Sequence, residues 1–462
     1  MFFEQFYLNC LAHASYMIGA AGEAAIIDPQ RDVDLYLEAA EEQGVKITHV
    51  FETHLHADFV SGHRELAQRT GAKIYIGAEA HAAFPHVPLR NGSEIRLGSV
   101  TIRVLETPGH TPESICLVVT DEERSSAPWA VMTGDTLFIG DVGRPDLSTT
   151  HSPQELAGLL YDSLHQKLMR LPDSVLVYPA HGAGSLCGRS MRAERWSTIG
   201  TERLTNYALQ IPNRDEFIRQ LTSNLPARPG YFLQDAEINR SGAAPLADRP
   251  PLPEFTAADV QRLLKDKGTV LDVRPAEQFG AAHIPGSINI ALAGQFASWA
   301  GTLLGLGSKP ILVAETDAQV EEAQLRLARV GIEDVRGYLA GGIAAWQAAN
   351  LPMTSTAQIT VQSLKERLGN GSVLVLDVRR EGEWQSGHIA DARNYALDRF
   401  PQGIPAVDEG RPIAVHCKSG YRSMIACSLL ERAGYRNISN VEGGFDAWQA
   451  EGLPQVADLA KV

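Results

Sequence analysis

The sequence has few cysteines, no excess of positive charge and no long apolar run. Five cysteines in 462 residues are too few for a disulfide framework, so we expect reduced cysteines and a cytoplasmic location. The formal charge is −14, from 41 Lys and Arg against 55 Asp and Glu, which argues against nucleic acid as a partner. The chain has neither a membrane-length apolar segment nor a secretory signal, so we expect no membrane contact.

The length and an internal repeat predict three domains. Division by roughly 150 residues per domain gives about three. A Pro-rich connector at 241–253 marks the end of a first domain at residues 1–240. Beyond it, the sequence VLDVR at 270–274 recurs at 375–379, and GGIAAWQ at 341–347 recurs as GGFDAWQ at 443–449. The offsets of 105 and 102 indicate two tandem α/β domains, at 254–352 and 355–462.

Imidazole and carboxylate side chains follow four strand-like segments of the first domain. The sequence THLHAD at 53–58 comes directly after one such segment, and residues two apart on an extended chain point the same way. Further His and Asp residues follow three later apolar segments, where a rigid sheet can present them in loops. The candidate residues are His54, His56, Asp58, His110, Asp135 and His181. Clustered ligands of this kind predict a metal site rather than scattered structural histidines.

This array resembles the metallo-β-lactamase fold, whose signature is H-x-H-x-D-H followed by His, Asp and His. The resemblance implies an αββα sandwich of α/β class. One departure is Phe59, which occupies the place of the last His in the signature. In dinuclear zinc members such as glyoxalase II, that His helps to hold the second metal. Phe has no lone pair for a cation, so a single metal is favoured.

Ligand type bears on which metal is bound. Two imidazoles and one carboxylate with open positions are typical of non-haem Fe(II) oxygenases, and His54, His110 and Asp135 could form that triad. His56, Asp58 and His181 would then orient these ligands or bound water. The fold pattern alone does not separate iron from zinc.

Two further segments resemble the persulfide dioxygenase branch of this fold. They are TGDTLF at 133–138 and GRPD at 143–146. The resemblance implies that His54, His110 and Asp135 bind one Fe(II) per chain, whose open positions take O2 and the terminal sulfur of a persulfide. Arg144 would contact an anionic part of the thiol carrier or form a loop salt bridge. Cys187 would face the pocket or be a buried structural cysteine.

A second site is predicted near the C-terminus, in the sequence IAVHCKSGYRS at 413–423. An apolar strand runs into a short loop that begins with Cys417 and opens a helix. Backbone N–H groups and the helix N-terminus favour a thiolate at that place. Lys418 and Arg422 add positive charge for an anionic sulfur donor or acceptor, and Gly420 permits a tight turn. We expect Ser419, Gly420 and Tyr421 of this loop to contact substrate.

This loop resembles the rhodanese active-site loop, C-x-x-G-x-R, which implies that Cys417 carries a persulfide. The middle domain has the same framework with different residues. The 102 offset places Glu315, Ala318 and Val320 opposite the Cys, Gly and Arg of the loop. Because Glu cannot form a persulfide, we expect an inactive rhodanese-like module.

The whole order of domains resembles bacterial persulfide dioxygenase–rhodanese fusions. The resemblance implies oxidation of a small thiol persulfide by O2 to sulfite, and transfer of sulfane sulfur through Cys417 to give thiosulfate. The sulfur-transfer step could also run in reverse. We further expect a homo-oligomer; the carrier thiol is open.

Two other functions stay open. One is a zinc-dependent thioester hydrolase of the glyoxalase II type that carries rhodanese modules. The other is a non-enzymatic carrier or sensor of persulfide. Metal analysis together with oxygen uptake distinguishes the zinc-dependent hydrolase from an iron-dependent oxygenase. Replacement of Cys417 and, separately, of His110 tests the non-enzymatic carrier.

Overall fold

The computed structural model describes residues 1–223, 225, 227–406 and 410–457. The chain divides into two compact units, residues 1–250 with 328–331 and residues 251–327 with 332–462. The predicted domain ends at 240, 254, 352 and 355 stay predictions, and residues 458–462 of the third domain lie outside the described residues. None of the helices in the described part of the chain has the length and hydropathy needed to cross a bilayer.

Residues 1–223 form two sheets of six strands each. The first sheet contains β1 (Phe2–Leu8), β2 (His13–Ala20), β3 (Glu23–Ile27), β4 (Lys46–Glu52), β5 (Lys73–Gly77) and β6 (Val87–Leu89). The second contains β7 (Glu94–Leu97), β8 (Val100–Glu106), β9 (Ile115–Asp121), β10 (Ala130–Gly134), β11 (Leu176–Pro179) and β12 (Ser197–Thr198).

The two sheets differ in their pairing. The first follows chain order, antiparallel from β1 to β3 and parallel from β3 to β6. The second has the order β12-β11-β10-β9-β8-β7 and is antiparallel except for the β10–β11 pair. In both sheets the strands end in loops that carry the predicted His and Asp residues.

Helices cover the outer faces of both sheets. The helices of this unit are α1 (Asp34–Glu42), α2 (His63–Thr70), α3 (Pro153–Gln166), α4 (Ile199–Thr205), α5 (Arg214–Thr222) and α6 (Phe232–Ser241). On β2, Tyr16 and Ile18 face the core between the sheets, whereas Met17 packs with Tyr36 of α1 on the outer side. This alternation is the period-2 pattern of a strand buried on both faces. The layers confirm the predicted αββα sandwich.

The second unit contains the two copies of the repeat, each with one parallel five-stranded sheet in the described residues. The first copy contains β13 (Glu254–Phe255), α7 (Ala257–Lys265), β14 (Val270–Asp272), α8 (Ala276–Ala281), β15 (Ile288–Asn289), α9 (Phe296–Leu304), β16 (Ile311–Val313), α10 (Asp317–Ala328), β17 (Gly337–Leu339) and α11 (Gly342–Ala348). The second contains β18 (Ala357–Ile359), α12 (Val361–Gly369), β19 (Leu374–Asp377), α13 (Glu381–Gln385), β20 (Arg393–Asn394), β21 (Ile413–His416), α14 (Tyr421–Arg432), β22 (Ile438–Val441) and α15 (Gly444–Ala450).

The strand orders of these two sheets are equivalent, β13-β17-β16-β14-β15 and β18-β22-β21-β19-β20. All their paired strands are parallel in the described residues. The predicted tandem α/β domains with parallel sheets are therefore confirmed. A 3₁₀ turn at Leu397–Gln402 stands in the second copy where the first has α9.

The repeated VLDVR sequence forms the same buried ion pair in both copies. Arg274 bonds both carboxylate oxygens of Asp272, and Arg379 does the same with Asp377. Each arginine also donates to a backbone carbonyl eight residues further along the chain. Because buried charges need paired hydrogen-bonding groups, this motif has a structural role in both domains.

Candidate functional site

The structure brings the predicted triad of the first unit together. His54 follows β4, His110 follows β8 and Asp135 follows β10, and all three side chains are buried. Asp135 Oδ2 lies 3.3 Å from His110 Nε2 and 3.8 Å from His54 Nε2. Among the described residues, none of these three atoms has a hydrogen-bond partner. Buried polar atoms without partners are rare in proteins, so their convergence fits a cation held between them.

Hydrogen bonds at the other ring nitrogens fix both imidazoles. His110 Nδ1 donates to the backbone oxygen of Arg144 at 2.9 Å. The Thr53 hydroxyl donates to Asp28 Oδ2 at 2.8 Å, so its oxygen accepts from His54 Nδ1 at 3.0 Å. In each ring the proton is therefore on Nδ1, and the Nε2 lone pair faces the centre. Partners of this kind typically set the tautomer of metal-binding histidines.

The charge states also suit a cation. Burial, followed by the neighbouring His56, lowers the pKa of His54 well below its usual value. Burial also lowers the pKa of His110. Burial alone would raise the pKa of Asp135, but His181 and the other imidazoles hold it well below the usual range. Neutral imidazole and ionised carboxylate are the forms that bind metals.

His181 links Asp135 to Asp58. Its Nδ1 lies 2.8 Å from Asp135 Oδ1, and its Nε2 lies 2.9 Å from Asp58 Oδ2. The two carboxylates raise the pKa of His181 well above its ordinary value, against the effect of its burial. The imidazole therefore holds Asp135 with its other oxygen toward His54 and His110, which is the orienting place that the sequence predicts for His181 and Asp58.

His56 contacts two carboxylates that the sequence did not single out. Its Nε2 lies 3.2 Å from Asp28 Oδ1 and 3.5 Å from Glu52 Oε2. Burial raises the pKa of Glu52 to about 8. Asp28 could have been found as a carboxylate directly after a strand-like run. Glu52 is the last residue of β4, so the same signal, a carboxylate at the end of a strand, could have found it.

Cys187 is both buried and close to the site. Its thiol, Asp58 and His181 form a second group whose donor atoms all lie within 4.8 Å of one another. Burial, and then the charges of Asp58 and Asp135, raise the pKa of the Cys187 thiol well above its usual value. The apolar ring of Phe59 lies 4.4 Å from the His56 ring and 6.4 Å from the His181 ring.

Two residues hold the backbone around the centre. Asn239, on α6, donates to the carbonyls of His56 and Phe59 at 2.7 and 2.8 Å. Gly143 passes so close to the site that a Cβ there would overlap the Asp135 carbonyl oxygen and lie 2.8 Å from His110 Nδ1. The loops after β4 and β10 are therefore tightly constrained.

Arg144 makes the loop salt bridge that was one of its two predicted roles. The side chain is 4% exposed, and two of its nitrogens bond Asp146 at 2.6 and 2.8 Å. A third donates to the Leu186 carbonyl. These contacts direct the guanidinium to the protein, so contact with a thiol carrier stays a prediction without support from this geometry.

In the second unit, Cys417 begins the loop between β21 and α14. The residue is 1% exposed. Its sulfur accepts from the Gly420 N–H at 3.1 Å, and the Ser423 hydroxyl lies 3.5 Å away. Gly420 has φ +99°, in the region that favours glycine. The Gly420 N–H is a backbone donor of the predicted kind at the sulfur, and Ser423 is a contact that the motif did not single out.

The other residues of this loop differ in their surroundings. Lys418 and Ser419 are exposed. The Tyr421 hydroxyl donates to the Ala291 carbonyl of the first copy at 3.0 Å, which is a packing contact between the two copies; its expected contact with substrate stays a prediction. Arg422 forms two hydrogen bonds to Glu383, at 2.7 and 2.6 Å. The positive charge that was expected to serve an anionic sulfur donor or acceptor is therefore paired with the Glu383 carboxylate.

At the equivalent place in the first copy, Glu315 follows β16 and is exposed. Its backbone N–H donates to Gln319 at 2.9 Å. A carboxylate here has no nucleophilic sulfur chemistry, in keeping with the expected inactive module.

Comparison with known proteins gives matches to both parts of the chain. Residues 8–181 match the metallo-beta-lactamase superfamily, and residues 256–349 and 360–451 each match the rhodanese-like domain. The mitochondrial persulfide dioxygenase ETHE1 of Mus musculus is 30% identical over 220 residues, 46% of this chain and 77% of that protein. A hydroxyacylglutathione hydrolase of Francisella tularensis subsp. novicida is 32% identical over 177 residues, 38% of this chain and 65% of the hydrolase.

Among solved structures, a metallo-beta-lactamase from Staphylococcus aureus subsp. aureus COL is similar over 73% of this chain and 98% of its own, with a TM-score of 0.67 and 36% identity. The fold and the site thus define a metallo-beta-lactamase-fold protein with two rhodanese-like domains. The chain belongs to the metallo-beta-lactamase superfamily and is a homologue of the persulfide dioxygenases. The resemblance to persulfide dioxygenase–rhodanese fusions is confirmed.

Proposed function

We propose that the first unit is an iron-dependent persulfide dioxygenase and that the Cys417 domain is a sulfurtransferase, acting together in the cytoplasm. The overall oxidation converts a small thiol persulfide, O2 and water into the free thiol and sulfite. The carrier thiol is left open. Homology to persulfide dioxygenases supports the reaction class.

The observation that carries the proposal is the convergence of three buried atoms without hydrogen-bond partners in the described residues, His54 Nε2, His110 Nε2 and Asp135 Oδ2. Two imidazoles and one carboxylate are the donor set of non-haem Fe(II) oxygenases. Fe(II) bound there would supply the redox chemistry by which O2 oxidises sulfur. The neutral imidazoles of His54 and His110 and the ionised carboxylate of Asp135 are already in the protonation states that bind a metal. We propose one such ion per chain.

The protein's own groups have defined tasks at this centre. The Thr53 hydroxyl and the Arg144 carbonyl hold the two ring protons away from the centre. His181 holds Asp135 in its ionised form. Because all of these side chains are buried, bulk water is kept from the reacting sulfur, which strengthens every electrostatic interaction there.

For the second site, we propose that the Cys417 thiolate attacks the outer sulfur of a persulfide. A sulfur–sulfur bond forms to Cys417, the bond to the carrier breaks, and the carrier leaves as thiolate. Sulfite then attacks the outer sulfur of the Cys417 persulfide, which gives thiosulfate and returns the Cys417 thiolate. The Gly420 N–H and the Ser423 hydroxyl are placed to stabilise the negative sulfur. The same steps can run in reverse, from thiosulfate to persulfide.

Sulfite connects the two proposed reactions, which take place on one chain. Sulfite made at the first site is the acceptor at the second, and linkage raises its effective concentration where the geometry permits.

The decisive experiment measures oxygen uptake by the iron-loaded protein with a panel of small thiol persulfides, with sulfite and thiosulfate quantified. We expect uptake and sulfite with at least one persulfide, and loss of both in His110→Ala. The hydrolase relative favours one alternative, a zinc-dependent thioester hydrolase. Oxygen-independent cleavage of thioesters by the zinc-loaded protein, without uptake by the iron-loaded protein, would overturn the proposal.

A further inference from the structure

The guanidinium of Arg422 is held by a single carboxylate. Arg422 is the second residue of α14, directly behind the cysteine loop, and Glu383 lies on α13. The two side chains share two hydrogen bonds, from Nη1 to Oε2 at 2.7 Å and from Nη2 to Oε1 at 2.6 Å. Their side chains are 16% and 33% exposed. A partly buried pair with this bidentate geometry is among the stronger protein ion pairs.

The inactive copy lacks both members of this pair. The 102-residue offset places Val320 opposite Arg422, and the 105-residue offset places Gln278 opposite Glu383. By contrast, the structural Asp–Arg pair of the VLDVR motif is present in both copies. The carboxylate is therefore absent together with the reactive cysteine, whereas the ion pair that stabilises the fold is kept.

Arg422 also lies in the first turn of the helix that the cysteine loop opens. Ser423, the neighbour of Arg422, has its hydroxyl 3.5 Å from Cys417 Sγ. Burial would lower the pKa of Arg422, but Glu383 and, to a smaller extent, Cys417 raise it. Glu383 is thus the main electrostatic partner that raises the pKa of Arg422.

We propose that Glu383 is a specificity-determining residue of the Cys417 site, which limits the affinity of the loop for oxyanions by neutralising Arg422. The proposal rests on the proposed sulfurtransferase function. Sulfite and thiosulfate are the oxyanions that must enter and leave, while sulfate and phosphate have similar charge and shape. Donors at a helix N-terminus beside an unpaired arginine would bind all of them. Glu383 reduces that attraction, so the loop releases thiosulfate and resists inhibition by sulfate.

The test compares Glu383→Gln with Glu383→Asp and Glu381→Gln. Gln keeps the size of the side chain and removes its charge, whereas Asp keeps the charge. Glu381 lies on the same helix but is exposed, so its replacement removes an equal charge away from the loop. Sulfur transfer from thiosulfate to cyanide gives KM, kcat and the inhibition constant of sulfate for each variant.

We expect Glu383→Gln to lower the KM for thiosulfate and the inhibition constant of sulfate by roughly three- to tenfold, the effect of one unit charge in a partly exposed site. The kcat stays within about twofold of the wild-type value, since charge–charge terms of this size act on binding. Glu381→Gln keeps the wild-type constants, and Glu383→Asp, which keeps the charge on a shorter side chain, changes them less than Glu383→Gln does. Unchanged or weaker sulfate inhibition in a folded Glu383→Gln protein would overturn the proposal.

A second readout separates this proposal from the proposed function. Sulfate bound at the loop protects Cys417 from iodoacetamide, which mass spectrometry follows without any turnover. If wild-type protein transfers no sulfur, the sulfurtransferase assignment fails, while protection at lower sulfate concentration in Glu383→Gln than in Glu381→Gln still supports the role of Glu383. Equal protection in these two variants contradicts it.

Discussion

The Thr53 hydroxyl offers a sharp test of the candidate metal centre. It connects Asp28 Oδ2, at 2.8 Å, to His54 Nδ1, at 3.0 Å. Thr53→Val keeps the shape of the side chain and removes both hydrogen bonds. Loss of a partner that orients a ligand costs about 10- to 100-fold in metal affinity, which corresponds to about 1.4 to 2.8 kcal/mol. We expect iron affinity to fall by this amount.

The same change affects stability without metal. Asp28 keeps its bond from the Thr53 backbone N–H at 2.7 Å, but its second carboxylate oxygen loses a donor in a buried place. The free energy of unfolding should fall by about 1 to 3 kcal/mol. Chelator competition measures the affinity, urea unfolding of the metal-free protein measures the stability, and Thr53→Ser is the matched control. Iron affinity of Thr53→Val within twofold of wild type would refute this account of the site.

Three further predictions concern other parts of the chain. Cys417→Ser should abolish thiosulfate formation and leave sulfite release unchanged; thiosulfate at the wild-type rate would show that another group transfers sulfur. Gly143→Ala should lower the amount of bound iron, because its Cβ overlaps the Asp135 carbonyl; metal analysis showing full occupancy contradicts this. Tyr421→Phe should destabilise the second unit by about 1 kcal/mol through loss of the bond to Ala291, as measured by urea unfolding, and an unchanged urea midpoint would show that the bond is not stabilising.

The fold was predictable because the patterns that indicate it recur at several places in the sequence. A repeat of about 100 residues can be read from two short motifs, and strand-like segments that end in His or Asp indicate a site at the ends of a sheet. The structure has both features. The grouping of His54, His110 and Asp135 followed from the same pattern, since each side chain directly follows a strand.

Other contacts could not be read from the sequence, for physical reasons. Tyr421 and His110 bond backbone carbonyls, and a carbonyl is present at every position, so no residue type reveals it. Arg422 and Glu383 are 39 residues apart, and only the packing of α13 beside the loop brings them together. Cys187 was predicted to be either buried or near the pocket, and the structure makes these two interpretations compatible.

The central claim is that one ferrous ion lies between two imidazoles and a carboxylate. Anomalous diffraction from crystals of the iron-loaded protein, collected at the iron and zinc absorption edges, tests it most directly. We predict one iron peak in coordination distance of His54 Nε2, His110 Nε2 and Asp135 Oδ2. A bridged pair of zinc peaks, or an iron peak bound by other side chains, would contradict the claim.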